Sequence, residues 1–312
     1  MSGNCGTGCL RLMKRLIKFA VFCTACSSCA FGQGASANTI VGMGYLYPPV
    51  AAAPGQLITV FVAGNAQGTI SAAVEGNPAP VMEVRPPSVC PSESICSSVT
   101  AITVQIPYDI EPSCVFTNPA CNIVVPAQLS VTVNGVAGPP ISLSPVADHI
   151  HILTACDTVV PSGSGSSPNG LPCAPLVTHA NGSMVTPENP AQGGEELVAY
   201  AVGLGLTTPA VPTGQAAAAA TPTYETFLLD YNFQPNALPA QPIQSFILPV
   251  GLAPSYSGLA PGYVGLYQVN FSVPQPPASV LPCASKVQSN LTVSVGGQYS
   301  FDGAGICVAP SE

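Results

Sequence analysis

Apolar and polar residues alternate with a period of two through most of the chain. Ile102-Thr103-Val104-Gln105-Ile106 alternates and stops at Pro107, and Tyr267-Gln268-Val269-Asn270-Phe271-Ser272-Val273 alternates and stops at Pro274. Leu129-Ser130-Val131-Thr132-Val133 runs into the turn pair Asn134-Gly135, and Leu291-Thr292-Val293-Ser294-Val295 into Gly296-Gly297. Successive side chains of a strand point to opposite faces, so this pattern predicts half-buried strands of antiparallel sheets. Thirty-five Pro and thirty Gly supply the turns that an all-β chain needs.

The strands recur in the same order twice. APGQLITVFVAG (53–64), AITVQIP (101–107) and AQLSVTVNGVAGPP (127–140) are followed by NPAQGGEELVAYAVGLG (189–205), GLAPGYVGLYQVNFSVP (258–274) and NLTVSVGG (290–297). Pro54-Gly55 and Gln192-Gly193 stand 138 residues apart, whereas Pro107 and Pro274 stand 167 apart, which places an insertion of about 29 residues in the second copy. The low-complexity stretch PTGQAAAAATPTYETF (212–227) is its expected location. Each copy is expected to close as a sandwich of about 110 residues, with apolar stripes inward and Ser, Thr, Asn and Gln outward. The expected fold is therefore all-β: two tandem antiparallel β-sandwich domains after a cleaved signal peptide, which the resemblance described below implies to be Ig-like. The segments are 1–35 for the signal peptide, 38–152 for the first domain, 153–182 for a Ser/Gly/Pro-rich, disulfide-stapled linker and 183–310 for the second domain.

Charge narrows the functional classes. Of six Lys and Arg residues, Arg11, Lys14, Arg15 and Lys18 lie at the N-terminus, and only Arg85 and Lys286 lie beyond it. All fourteen acidic residues follow residue 70, so the body carries two cations against fourteen carboxylates, a net −12. Such a surface cannot neutralise phosphates, which argues against nucleic-acid partners and anionic lipid. At 47% hydrophobic the chain is too apolar for a disordered one. No stretch after residue 35 offers the ~20 continuous apolar residues of a membrane helix.

The N-terminus reads as an export signal. Arg11 to Lys18 form a basic region, FAVFCTACSSCAF (19–31) an apolar run too short for an ordinary span, and Gly32 to Ala37 a small-residue cleavage zone. Cys23, Cys26 and Cys29 fall inside this segment, so their C-x-x-C-x-x-C spacing is not carried into the mature protein. Eight cysteines remain: Cys90, Cys96, Cys114, Cys121, Cys156, Cys173, Cys283 and Cys307. An even number in an exported chain predicts disulfides. Their connectivity is open; proximity favours Cys90–Cys96, Cys114–Cys121, Cys156–Cys173 and Cys283–Cys307.

Candidate chemistry is sparse. His149 and His151, two apart on a strand, share a face and could bind one metal ion, with Asp148 or Asp157 completing the shell; without a third fixed ligand the plainer expectation is that they hold no metal. Glu195 and Glu196 point to opposite faces of a strand, so they cannot act jointly on one glycosidic bond, and Glu188 and Asp230 have no evident carboxylate partner. His179 lacks a G-x-S-x-G nucleophile elbow elsewhere in the chain, and Gly203-Leu204-Gly205 lacks the third glycine and helix of a dinucleotide site. Tyr256 and Tyr263 are the candidate binding residues, since exposed tyrosines stack on sugars or anchor proteins, while Tyr267 is expected in the core.

GGEELVAYAVGLG (193–205), TTPAVPTGQAAAA (207–219), GLAPGYVGLYQVNFSVP (258–274) and the closing strand at 291–297 resemble an uncharacterised C-terminal domain family of secreted acidobacterial (Solibacter-type) proteins. The resemblance covers most of residues 40–300 and departs from the family in the cysteines and at DHIHILTACD (148–157). It implies export and an Ig-like β architecture, and it brings no catalytic residues. The expected function is that of a secreted or surface-displayed, non-catalytic bacterial protein with an adhesive, recognition or structural role. It would need no cofactor, and its partner would be an unknown extracellular protein or glycan, bound on a loop surface or as a strand added to a sheet edge. The alternative is a secreted hydrolase acting on an extracellular polymer such as a glycan.

Overall fold

The four alternating runs are all strands: Val99–Gln105, Tyr267–Ser272, Ala127–Val133 and Leu291–Gly296. A computed structural model describes residues 39–43, 50–85, 99–110, 114–117, 120–124, 126–155, 157, 173–237, 251–284 and 286–311. Among these residues every regular element is a strand, and none of the sheets closes into a barrel. Among the described residues no helix is long and apolar enough to cross a membrane. The expected signal peptide and Cys90, Cys96 and Cys156 lie outside the described residues.

Two sheets are built from the first half. One has the order Ile40–Met43, Leu57–Ala63, Val99–Gln105, Val81–Arg85. The other runs Val50–Ala52, Ile141–Pro145, Ala127–Val133, Ile70–Val74, Asn77–Ala79, with Val136–Ala137 also on Ala127–Val133. All neighbours are antiparallel except Val50–Ala52 and Ile141–Pro145, which run parallel. The sheets line one core from two sides, Ile58, Val60, Val62, Ile102 and Val104 from the first and Val74, Leu129, Val131, Val133 and Leu143 from the second. Removing each such side chain from water contributes ~1.5–3 kcal/mol before ordering costs.

The second half repeats this plan. Glu196–Val202 and Tyr267–Ser272 form the centre of one sheet, flanked by His151–Ile152 and Val177–His179 on one side and by Tyr256–Leu259 and then Thr221–Pro222 on the other. Leu228–Asn232, Leu291–Gly296 and Phe301–Ile306 form the second sheet. A separate core joins them, centred on Leu197, Ala199, Phe227, Leu229, Tyr267, Val269, Phe271, Leu291, Val293 and Ile306.

Backbone bonds fix the repeat's register. Gly55 N donates to Ile106 O and Gly194 N to Val273 O; Val146 N donates to Ala52 O and Ala309 N to Ala191 O. Gly55 therefore matches Gly194, 139 residues later, and Pro54-Gly55 aligns with Gly193-Gly194 rather than with Gln192-Gly193. Both Gly55 and Gly194 have positive φ, 73° and 82°, a conformation that glycine adopts without steric cost. With Ile106 matching Val273 at a separation of 167, the second copy carries 28 extra residues.

Two strands depart from their sequence patterns. In Val99–Gln105 the polar Thr103 and Gln105 are buried along with Ile102 and Val104. Leu291–Gly296 alternates in sequence, yet Thr292 and Ser294 are buried along with Leu291, Val293 and Val295. The residues after Asn232 fold back over the outer face, where Thr292 Oγ1 donates to Ala237 O at 2.7 Å.

Cys283 and Cys307 form a disulfide with their Cα atoms 5.9 Å apart, as proximity predicts. Cys173 is also disulfide-bonded; Cys156, its expected partner, lies outside the described residues. Cys114 and Cys121 lie on the paired strands Cys114–Thr117 and Ala120–Val124. Residues 36–312 form one compact unit.

Candidate functional site

The chain leaves the first core through Ala147-Asp148-His149-Ile150-His151, and polar chemistry concentrates around this connector. Asp148 is fully buried. Its Oδ2 accepts from Gln298 N and Tyr299 N, and its Oδ1 from Ser300 N and Ser300 Oγ, all within 2.6–2.9 Å. Ser300 Oγ in turn accepts from Ile150 N at 2.7 Å. A buried carboxylate with four donors is compensated for its lost hydration, and here it fixes the turn before the last strand.

His149 faces the first half. The Gln56 amide is oriented by Ala53 N, which donates to Gln56 Oε1 at 2.9 Å, so its nitrogen donates to His149 Nδ1 at 3.1 Å. An accepting Nδ1 places the ring proton on Nε2. Burial holds the His149 pKa below its ordinary value, and the neighbouring His151 charge adds to this.

His151 is held between two carboxylates, with Nε2 2.9 Å from Asp157 Oδ1 and Nδ1 3.2 Å from Asp302 Oδ2. These bonds push its pKa up to about 9, against the opposing effect of burial. Burial works to raise Asp157, but bonds from His151 and Thr154 outweigh it and hold the carboxyl below its usual range. Asp302 Oδ2 also accepts from Ile152 N, so the imidazolium joins the edge strands of the two second-half sheets. Both ring nitrogens of His151 face carboxylates, and His149 Nδ1 faces the Gln56 amide. Among the described residues no group of three or more His, Cys, Asp or Glu is placed to hold a metal ion.

His179 and Glu195 make a separate pair at the far end of the second core. Glu195 Oε1 lies 2.6 Å from His179 Nδ1, and Glu195 Oε2 accepts from Gln192 N. His179 Nε2 faces Asn189 O at 3.2 Å. Burial works to raise the Glu195 pKa, but the bonds from Gln192 and His179 outweigh it and leave it lowered. Glu196 points the other way and accepts from Ser255 Oγ. Glu188 and Asp230 are exposed.

The Gly203-Leu204-Gly205 turn packs on the connector. Gly203 and Gly205 have φ of 81° and 78°, and a Cβ on either would sit 2.0 Å from His149 O or 2.2 Å from Ala147 O. Tyr267 is fully buried, as expected, and its hydroxyl donates to Gly205 O. Tyr108 of the first half reaches it, with the two hydroxyls 3.5 Å apart.

Of the candidate binding tyrosines, Tyr263 is 60% exposed. Tyr256 is half-buried, its hydroxyl donates to Leu259 O, and burial raises its pKa. Tyr224, Tyr299 and Leu206 also stand exposed, at 70%, 58% and 41%. The Thr207–Thr223 bridge and the bond from Tyr224 N to Leu206 O set Leu206 opposite Tyr224. No sequence signal marks this pair, because its partners are eighteen residues apart across a composition-biased loop. No protein-family model matches the chain, and no curated protein matches it.

Proposed function

We propose that this chain is an exported, non-catalytic binding or structural protein, built as two tandem Ig-like β-sandwiches of the secreted acidobacterial type that most of residues 40–300 resemble. It acts at the cell surface or outside the cell, in adhesion, recognition or matrix building. The observation that carries the reading is the use made of its polar side chains. His149, His151 and His179 direct ring nitrogens to Gln56, to Asp157 and Asp302, and to Glu195, and each contact ties one strand or connector to another. Asp148 serves a turn. These groups do the work of a scaffold. The Cys283–Cys307 disulfide suits an oxidising compartment, and the cation-poor body suits an uncharged partner such as a neutral glycan, or an extracellular protein.

The test is a panel of extracellular polysaccharides and surface proteins presented to the full oxidised chain isolated from the export compartment. Binding is measured alongside product release. Saturable binding without product supports the reading, and steady release of product from any polymer contradicts it.

A further inference from the structure

The composition of residues 212–227 predicts a low-complexity stretch, yet residues 203–227 are built as an arm with a defined base and tip. The base is closed by the Thr207–Thr223 bridge, by Thr208 N on Pro222 O and by Tyr224 N on Leu206 O. Ala217 is buried in the second core, and its carbonyl accepts from Gly262 N at 2.8 Å. The tip, turned by Gln215 N on Pro212 O, reaches the first half. There Gly214 N donates to Gln105 Oε1 at 2.6 Å, and Tyr108 N donates to Thr213 Oγ1 at 3.0 Å. Gly214 lies so close to Pro80 that a Cβ would come within 3.0 Å of its ring. The matching segment of the first copy, 64–69, has no comparable excursion.

We propose that this arm is an interlock that makes the two halves open and close as a single cooperative unit, with their relative orientation fixed. Domains joined by a connector alone move against each other unless a large or apolar interface holds them. Here the connector contact of Gln56 with His149, the packing of Leu57 on Leu153 and Val202, and the arm engage the same end of the first half. The arm's bonds satisfy two groups of that end, the buried Gln105 side chain and the Tyr108 backbone amide. When the halves part, these groups lose partners that the native seam supplies. Extra length in the second copy thus becomes a clamp on the first, and it would hold two binding faces, or the two ends of a spacer, at one fixed geometry. The inference concerns folding cooperativity and stands whatever the chain binds.

Native-state hydrogen exchange of the full oxidised chain, followed across low denaturant concentrations, tests it. In the wild type, core amides of the first half (Val60, Val104) and the second half (Val269, Val293) should share one opening equilibrium and one denaturant slope, since the slope follows the surface exposed. Gln105→Leu with Thr213→Val removes both arm bonds. First-half amides should then exchange roughly ten- to a hundredfold faster, with a smaller slope, while second-half amides keep their rates. Because Gln105 Nε2 also donates to Gly55 O within the first half, Thr213→Val alone, which leaves that bond in place, is measured beside it and should shift the first-half amides in the same direction. Separate openings with different slopes in the wild type, or halves that stay coupled in the double variant, would overturn the proposal. If the double variant does not fold, Thr213→Val alone and the wild-type comparison decide.

Discussion

Gln56 and His149, ninety-three residues apart, meet with the amide nitrogen 3.1 Å from Nδ1 and lock the connector to the base of the first core. Glu195 is the matching residue of the second copy, and it holds His179 Nδ1 at 2.6 Å. One strand-entry position therefore secures a histidine twice, with an amide where the ring accepts and a carboxylate where it faces an anion.

That difference predicts the outcome of Gln56→Glu. The new carboxylate would face His149 Nδ1 and favour the protonated ring, replacing the present balance in which burial lowers the pKa. In an NMR titration His149 should move from below its ordinary value to above it. A titration that stays below would show that the carboxylate does not occupy the amide's place.

The His151 clamp predicts a pH dependence with a definite sign. Its folded pKa, about 9, lies above the ordinary value of 6.5, so the stabilisation is fully present below about pH 6.5 and is lost as pH rises through about 9. The side chain is 44% exposed, so solvent screening reduces the effect to about 1 kcal/mol. Asp157, with a lowered pKa, contributes stability that is lost as pH falls through its folded value. Denaturant melts of wild type and His151→Gln should differ most at about pH 5–6, draw together as pH rises past about 6.5 and converge by about pH 10. A difference independent of pH would assign the ring a packing role alone.

Gly203 is a point where a single methyl group is costly. Gly203→Ala combines a positive φ with a Cβ 2.0 Å from His149 O, so the connector must shift. We expect a loss of about 2–4 kcal/mol by chemical denaturation. The control is Gly182→Ala, which shares a positive φ but meets nothing within 4 Å, and it should lose about 1 kcal/mol.

The Cys283–Cys307 bridge spans a sequence separation of 24. Replacing both residues by Ser should lower stability by about 3 kcal/mol through the freed unfolded chain. Thermal melts of oxidised and substituted chains measure this. Equal melting temperatures would mean that the fold does not depend on the bridge.

Much of the scaffold was legible because it rests on local pattern. Period-two alternation marks Val99–Gln105 and Tyr267–Ser272 as strands, and the repeat places them in equivalent positions. Adjacent Glu195 and Glu196 take opposite faces because a strand requires it. What stayed hidden depends on distant segments. Gln56 has no sequence sign of a histidine ninety-three residues on, and Thr292 reads as a surface residue until Ala237 covers it. The Ala-rich stretch near 212–220 reads as low complexity because its role lies in three contacts, Thr213, Gly214 and Ala217, rather than in a periodic stripe.

Isothermal titration calorimetry of the full oxidised chain, with whichever extracellular glycan or protein the panel selects, tests the central claim most directly. A non-catalytic binding protein gives heats that fall to zero at a fixed stoichiometry. Heat that continues after every injection, at a rate proportional to protein concentration, would mark turnover and contradict it.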